Sequence, residues 1–215
     1  MSLWWRQVQS LTIDRTLPLL HYFVFIQLLC VTHIAIPMQD PMVMMVLGYF
    51  FILLQLLLRL DQLFDRPDQE GLMHQWLVFY GFDEVFIAHR LLAYWFVFLF
   101  PLNLTITLYG YIITTSLHIA GMVAVSVFCY SWALLGLLSI MAALLTTVRQ
   151  SSALMMVLCL PLTIPLMLIA LLMVKHALLS LPLASLCQIL GCLSLLLVAL
   201  APMVIRIILR HTWID

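Results

Sequence analysis

The chain has 215 residues, of which 66% are apolar and 8% charged, against about 25% charged in an ordinary soluble domain. Too few polar side chains exist to cover a soluble globule. The same apolarity excludes a disordered chain, and a net charge of zero leaves no basic excess to hold nucleic acid. What remains is an all-α polytopic membrane protein.

Residues 1–16 read as an amphipathic helix. Met1, Trp4, Val8 and Leu11 recur at helical spacing, with Arg6, Gln7, Gln9 and Ser10 largely elsewhere. A Trp pair suits the bilayer interface, so this segment is expected to lie on membrane lipid before the chain turns inward at Asp14-Arg15. A spanning helix needs roughly 20 mostly apolar residues. Six such stretches follow, at 17–37, 41–58, 91–113, 117–145, 153–174 and 183–205. Their apolarity is continuous, not alternating, which argues against a transmembrane β-barrel. Its recurrence to the C-terminus argues against a signal peptide on a soluble protein.

Basic residues orient the spans. Arg6, Arg15, Arg59, Arg66, Arg90, Arg149, Arg206 and Arg210 all fall on one side of a six-span chain, and Lys175 alone on the other. Both termini are therefore expected in the cytoplasm. The only long connection is 59–90, which holds six of the nine acidic residues: Asp61, Asp65, Asp68, Glu70, Asp83 and Glu84. There Leu60, Leu63 and Phe64 extend the second span, Arg66-Pro67-Asp68 breaks it, and after Gly71 a short helix restarts over 72–80. Its apolar positions Leu72, Met73, Trp76, Leu77 and Tyr80 share a face. Such a helix either lies on lipid or docks a cytoplasmic partner, and composition does not choose.

Within the spans, little points to chemistry. Cys30, Cys129, Cys159, Cys187 and Cys192 lack a Cys-x-x-Cys spacing and read as small packing residues. His21 and His33 are twelve residues apart, about 120° around a helix. They cannot share one face, which weighs against a redox subunit that binds heme through them and His118. Charges inside the spans are essentially absent. Gln27, Gln55, Asn103 and Gln188 are the strongest polar groups there, and such groups more often bridge helices than bind substrate. The small residues Ser116, Ala120, Ala124, Ser139 and Ala143 predict close helix packing on the fourth span. Pro161 and Pro165, four apart, predict a kinked fifth span. A kink of this kind is structural or permits rearrangement, with equal support from spacing. No P-loop, HExxH or Asp pair is present.

Taken together, these residues resemble the CcmB family, the permease subunit of the cytochrome c maturation ABC complex. The resemblance rests on Leu60-Asp61-Gln62-Leu63-Phe64 followed by Asp68-Gln69-Glu70-Gly71, on Arg90, Ala93, Trp95 and Pro101 at the third span, and on Leu160-Pro161-Leu162-Thr163-Ile164-Pro165-Leu166 in the fifth. Departures are Leu72 after the loop glycine, Tyr94 before the tryptophan, and Gln150-Ser151-Ser152 after Arg149. The resemblance implies an ABC-2-like fold of six spans with an interfacial helix and a coupling helix in the cytoplasmic loop. It implies an ATPase-coupling set of Asp61, Phe64, Asp68, Glu70, Gly71, Trp76 and Leu77. The expected partners are a CcmA-type ATPase, which binds the ATP, the CcmC and CcmD membrane subunits, and a CcmE-type heme chaperone. Heme is then the cargo of the complex, with no cofactor, metal or catalytic residue in this chain, and the place is the bacterial inner membrane or its mitochondrial equivalent. An ABC-2-type permease for a polysaccharide, lipid or drug is the nearest alternative.

Overall fold

A computed structural model describes residues 41–59, 83–148 and 152–214. Among these every regular element is helical: α1 Pro41–Arg59, α2 Glu84–Tyr94, a π-helical turn Trp95–Leu99, α3 Phe100–Thr114, α4 Leu117–Val148, α5 Ser152–Leu178 and α6 Ala184–Ile214. In lipid the backbone must satisfy its own hydrogen bonds, which long helices do. Among the described residues four helices are long and apolar enough to cross a membrane: Glu84–Thr114, Leu117–Leu144, Cys159–Leu178 and Ala184–His211. The second predicted stretch is the shorter apolar helix Pro41–Leu57. The first stretch, the interfacial helix 1–16 and the short helix expected at 72–80 lie outside the described residues.

The third spanning helix starts earlier than its apolar run. Asp83 is extended and its carboxylate accepts the Glu84 amide at 3.0 Å, an N-terminal cap of the usual acidic kind. The helix therefore begins at Glu84 and carries Arg90 inside it. The expectation that the spans hold essentially no charge is corrected by this: Arg90 is 4% exposed, within a membrane-spanning helix.

Helix α4 is the centre of the bundle, packing on α1, α3, α5 and α6. Its 32 residues extend about 48 Å, more than the roughly 30 Å of hydrocarbon, so it is tilted or projects from the bilayer. In its spanning stretch 61% of the residues are buried inside the bundle, against 22% in that of α6. Small side chains allow this. Ala133, Ser139 and Ala143 are fully buried, and a Cβ placed on Gly136 would stand 2.9 Å from the Leu197 carbonyl oxygen of α6. The small-residue reading of α4 thus holds at Ala120, Ser139 and Ala143, which are buried, and Gly136 adds a close approach to the α6 backbone.

Both tight turns are closed by left-handed residues. Thr115, with φ 51°, ends α3 through its amide bond to the Tyr111 carbonyl at 2.8 Å. Ser180, with φ 55°, ends α5. Bonds from Ser180 to Ala177 and from Leu181 to His176 form the paired pattern of a Schellman cap, and Pro182 follows. These turns lie at one end of the bundle with Lys175 and His118. At the other end Arg206 of α6 bonds Glu84 of α2 at 2.7 Å. Among the described residues Arg206 and Lys175 thus fall at opposite ends of the folded helices, while Arg6, Arg15, Arg66 and Arg149 lie outside them.

Candidate functional site

Two polar bridges cross the apolar interior, and both are built on α4. The first centres on Ser131, whose side chain is fully buried. Its hydroxyl accepts from the Trp95 indole at 3.1 Å and from the Asn103 amide at 2.8 Å, and donates to the Phe128 carbonyl at 2.9 Å. One hydroxyl therefore uses its donor and both acceptor positions. Trp95 opens the π turn and Asn103 lies just beyond it, so Ser131 ties the turn and the start of α3 to α4. Asn103 Oδ1, in a residue 7% exposed, has no hydrogen-bond partner among the described residues.

The π turn has an identifiable cause. Pro101 has no amide hydrogen, and in an α-helix its ring would crowd the carbonyl of Val97. Here the Phe100 amide bonds instead to the Trp95 carbonyl, five residues back, which widens the turn ahead of the proline. Aromatic rings fill the space around it. Trp95 stacks on Trp132 with centroids 4.8 Å apart and planes at 15°, and Phe128 and Phe100 close on it at 5.2 and 5.7 Å.

The second bridge joins α1, α4 and α5. The Tyr49 hydroxyl donates to Ser126 at 2.8 Å, and Ser126 donates to the Ala170 carbonyl at 3.0 Å. Tyr130 packs its ring 5.1 Å from that of Tyr49. Its buried hydroxyl finds no partner among the described residues.

Of the residues singled out from sequence, Asp61, Phe64, Asp68, Glu70, Gly71, Trp76 and Leu77 lie outside the described residues. Pro161 and Pro165 are in α5, one turn apart and both exposed, and the helix continues through them. Between them the buried Thr163 donates to the Leu160 carbonyl at 3.0 Å. Asn103 and Trp95 are brought together; Gln188 is exposed and Gln55 half-buried. Cys159 is buried, Cys129 and Cys187 half-buried and Cys192 exposed, all as free thiols. His118 is exposed, while His21, His33 and Cys30 lie outside the described residues. Sequence reasoning passed over Ser131, Ser126, Tyr49 and the π turn. The available signal was Pro101 inside an apolar run, preceded by an aromatic cluster.

Among known families, that of the CcmB protein matches residues 17–212, nearly the whole chain. The chain belongs to the CcmB family. Membership implies a heme-exporter permease of the cytochrome c maturation system, a transport subunit embedded as a multi-pass protein in the inner membrane. No curated protein sequence matches the chain significantly.

Proposed function

We propose that this chain is a lever worked by a separate ATPase. A CcmA-type partner binds and hydrolyses ATP and docks on the cytoplasmic segment 59–90, where Asp61, Phe64, Asp68, Glu70 and Gly71 shape the turn and Trp76 and Leu77 make the contact. CcmC and CcmD complete the membrane part. The output is export of heme or release of the heme-loaded CcmE-type chaperone. Both termini are cytoplasmic in this reading.

One observation carries it beyond family membership. Asp83 and Glu84 lie in the last part of that segment, where α2 begins, and Glu84 is tied to Arg206 at 2.7 Å. A push on the segment therefore reaches α2 directly by the chain and α6 by an ion pair. In α5, Pro161 and Pro165 each remove one helical hydrogen bond, which lowers the cost of bending that helix as the bundle rearranges.

The test is Trp76→Ala or Gly71→Val in the native complex. Cytochrome c yield is expected to fall at least several-fold while membrane insertion of the chain stays normal. An unchanged yield removes the coupling role. Pro161→Ala with Pro165→Ala is expected to lower the yield less, by stiffening α5.

A further inference from the structure

We propose that the π turn Trp95–Leu99 is a swivel for α2, and that Ser131 is the latch that sets its resting position. The proposal rests on the reading that the stroke arrives through the segment preceding α2. Three observations support it.

The first is the division of the third spanning helix by its contacts. Below the π turn, α2 packs on α6; above it, α3 packs on α4 and α1. The two halves of one continuous helix thus belong to different neighbours. A force on α2 that moved the whole helix rigidly would have to break the α3 packing as well.

The second is the turn itself. A π turn holds one residue more than an α turn, and such single-turn bulges are frequent at functional positions. Converting it to α geometry rotates everything before it by about 100° and moves it outward along the axis by about 1.5 Å. Rotation of this kind needs no broken chain and no loss of α3. It exchanges which face of α2 meets α6, and Arg90 is on the buried face. Pro101 opposes full conversion, because an α turn has no bond to gain from a residue without an amide hydrogen.

The third is the clasp. Trp95 is the first residue of the turn and Asn103 lies just beyond it, and both are held by one hydroxyl of a different helix. Rotation of α2 pulls on Trp95. Releasing that indole leaves Asn103 on Ser131, so α3 stays in place while α2 turns. The unpaired Asn103 Oδ1 is an acceptor beside the site, available to a hydrogen-bond donor displaced in the motion. Ser131 is in this account a positioning residue, with no contact to cargo.

The test uses the full-length chain in its co-expressed complex in lipid nanodiscs, with spin-labelled unnatural amino acids so that the native cysteines stay. One label pair joins α2 to α6 at the exposed Ala88 and Met203. A reference pair joins α3 to α4 at the exposed Leu108 and Val125. Without nucleotide, Ser131→Ala is expected to give the α2–α6 pair a second distance population, displaced by up to roughly 10 Å for a 100° turn of a surface label. The reference pair keeps one population. Ser131→Thr, which keeps the hydroxyl, restores the single population. Pro101→Ala, which permits the α turn, shifts the α2–α6 pair in the same direction. If neither Ser131→Ala nor Pro101→Ala changes that pair, or if both pairs broaden together, there is no swivel. Adding ATP and vanadate to the unmodified complex then separates the two ideas. A shift in the α2–α6 pair supports the ATPase coupling; a swivel freed by Ser131→Ala with no response to nucleotide leaves the swivel standing and overturns the coupling.

Discussion

Helix α4 meets its neighbours in two different ways. Against α6 it uses Gly136 to bring backbones together, with the Leu197 backbone of α6 directly facing it. Against the π turn and α3 it uses Ser131, large rings and a distorted helical turn. Lipid tails are as apolar as leucine, so helices in a membrane associate through close van der Waals packing and interhelical hydrogen bonds. The α4–α6 seam relies mainly on the first, with a thiol–hydroxyl contact between Cys129 and Ser194, and the α4–π contact on the second. A backbone seam has one optimal position, because any displacement opens a gap or forces a clash. A hydrogen-bonded clasp can release one donor and keep the other. The first region is suited to holding the bundle together, the second to changing its shape.

The largest expected effect is at the seam. Gly136→Val places two methyl groups where even a Cβ would lie 2.9 Å from a backbone oxygen. It should cost about 2–3 kcal/mol of unfolding free energy, read by steric trapping in bicelles. A cost below that of the hydrogen-bond variants would erase the distinction between the two regions. Next comes Ser126→Ala, which strips the Tyr49 hydroxyl of its partner in a fully buried place. A loss of about 1–2 kcal/mol is expected, and Tyr49→Phe in the same background should recover part of it by removing the stranded donor. At the charged end, Glu84 and Arg206 are 44% and 36% exposed. Solvent screening limits their pair to about 1 kcal/mol or less, so a double-mutant cycle of Glu84→Gln and Arg206→Gln should give a small coupling. Its effect on cytochrome c yield should exceed its effect on stability if the pair transmits force. The smallest effect is a gain. Thr115 is β-branched at φ 51°, and Thr115→Gly should stabilise the chain by about 0.5–1 kcal/mol, the relief of the left-handed strain less the entropy of glycine.

Much of the fold is legible in the residues themselves. The apolar runs at 91–113, 117–145, 153–174 and 183–205 each overlap one spanning helix over most of their length, because length and apolarity are what a bilayer demands. The helix ends were less accessible. Hydropathy dropped Glu84 and Arg90 from the third span, whereas the Asp83 cap starts the helix at Glu84 and Arg90 is buried within it. Asn103 was visible as a polar residue inside a span, but its partner was not. Ser131 is a small hydroxyl residue among many, and only tertiary contact distinguishes it from a serine bonded solely within its own helix, such as Ser139. Pro101 gave a signal for a distortion, yet its sequence position does not say whether the helix kinks or widens. Gly136 lay beside the small-residue pattern of Ser139 and Ala143, and only the structure shows the Leu197 backbone of α6 against it.

The central claim is that force enters through the cytoplasmic segment between the second and third spans. The most direct measurement places a photo-crosslinking amino acid at Trp76 and, separately, at Leu77 in the intact complex, followed by identification of the adduct. The account predicts a covalent product with the ATP-hydrolysing subunit from both positions. Adducts to lipid alone, or labelling of these positions by a membrane-impermeant reagent from the opposite face of the membrane, would contradict it.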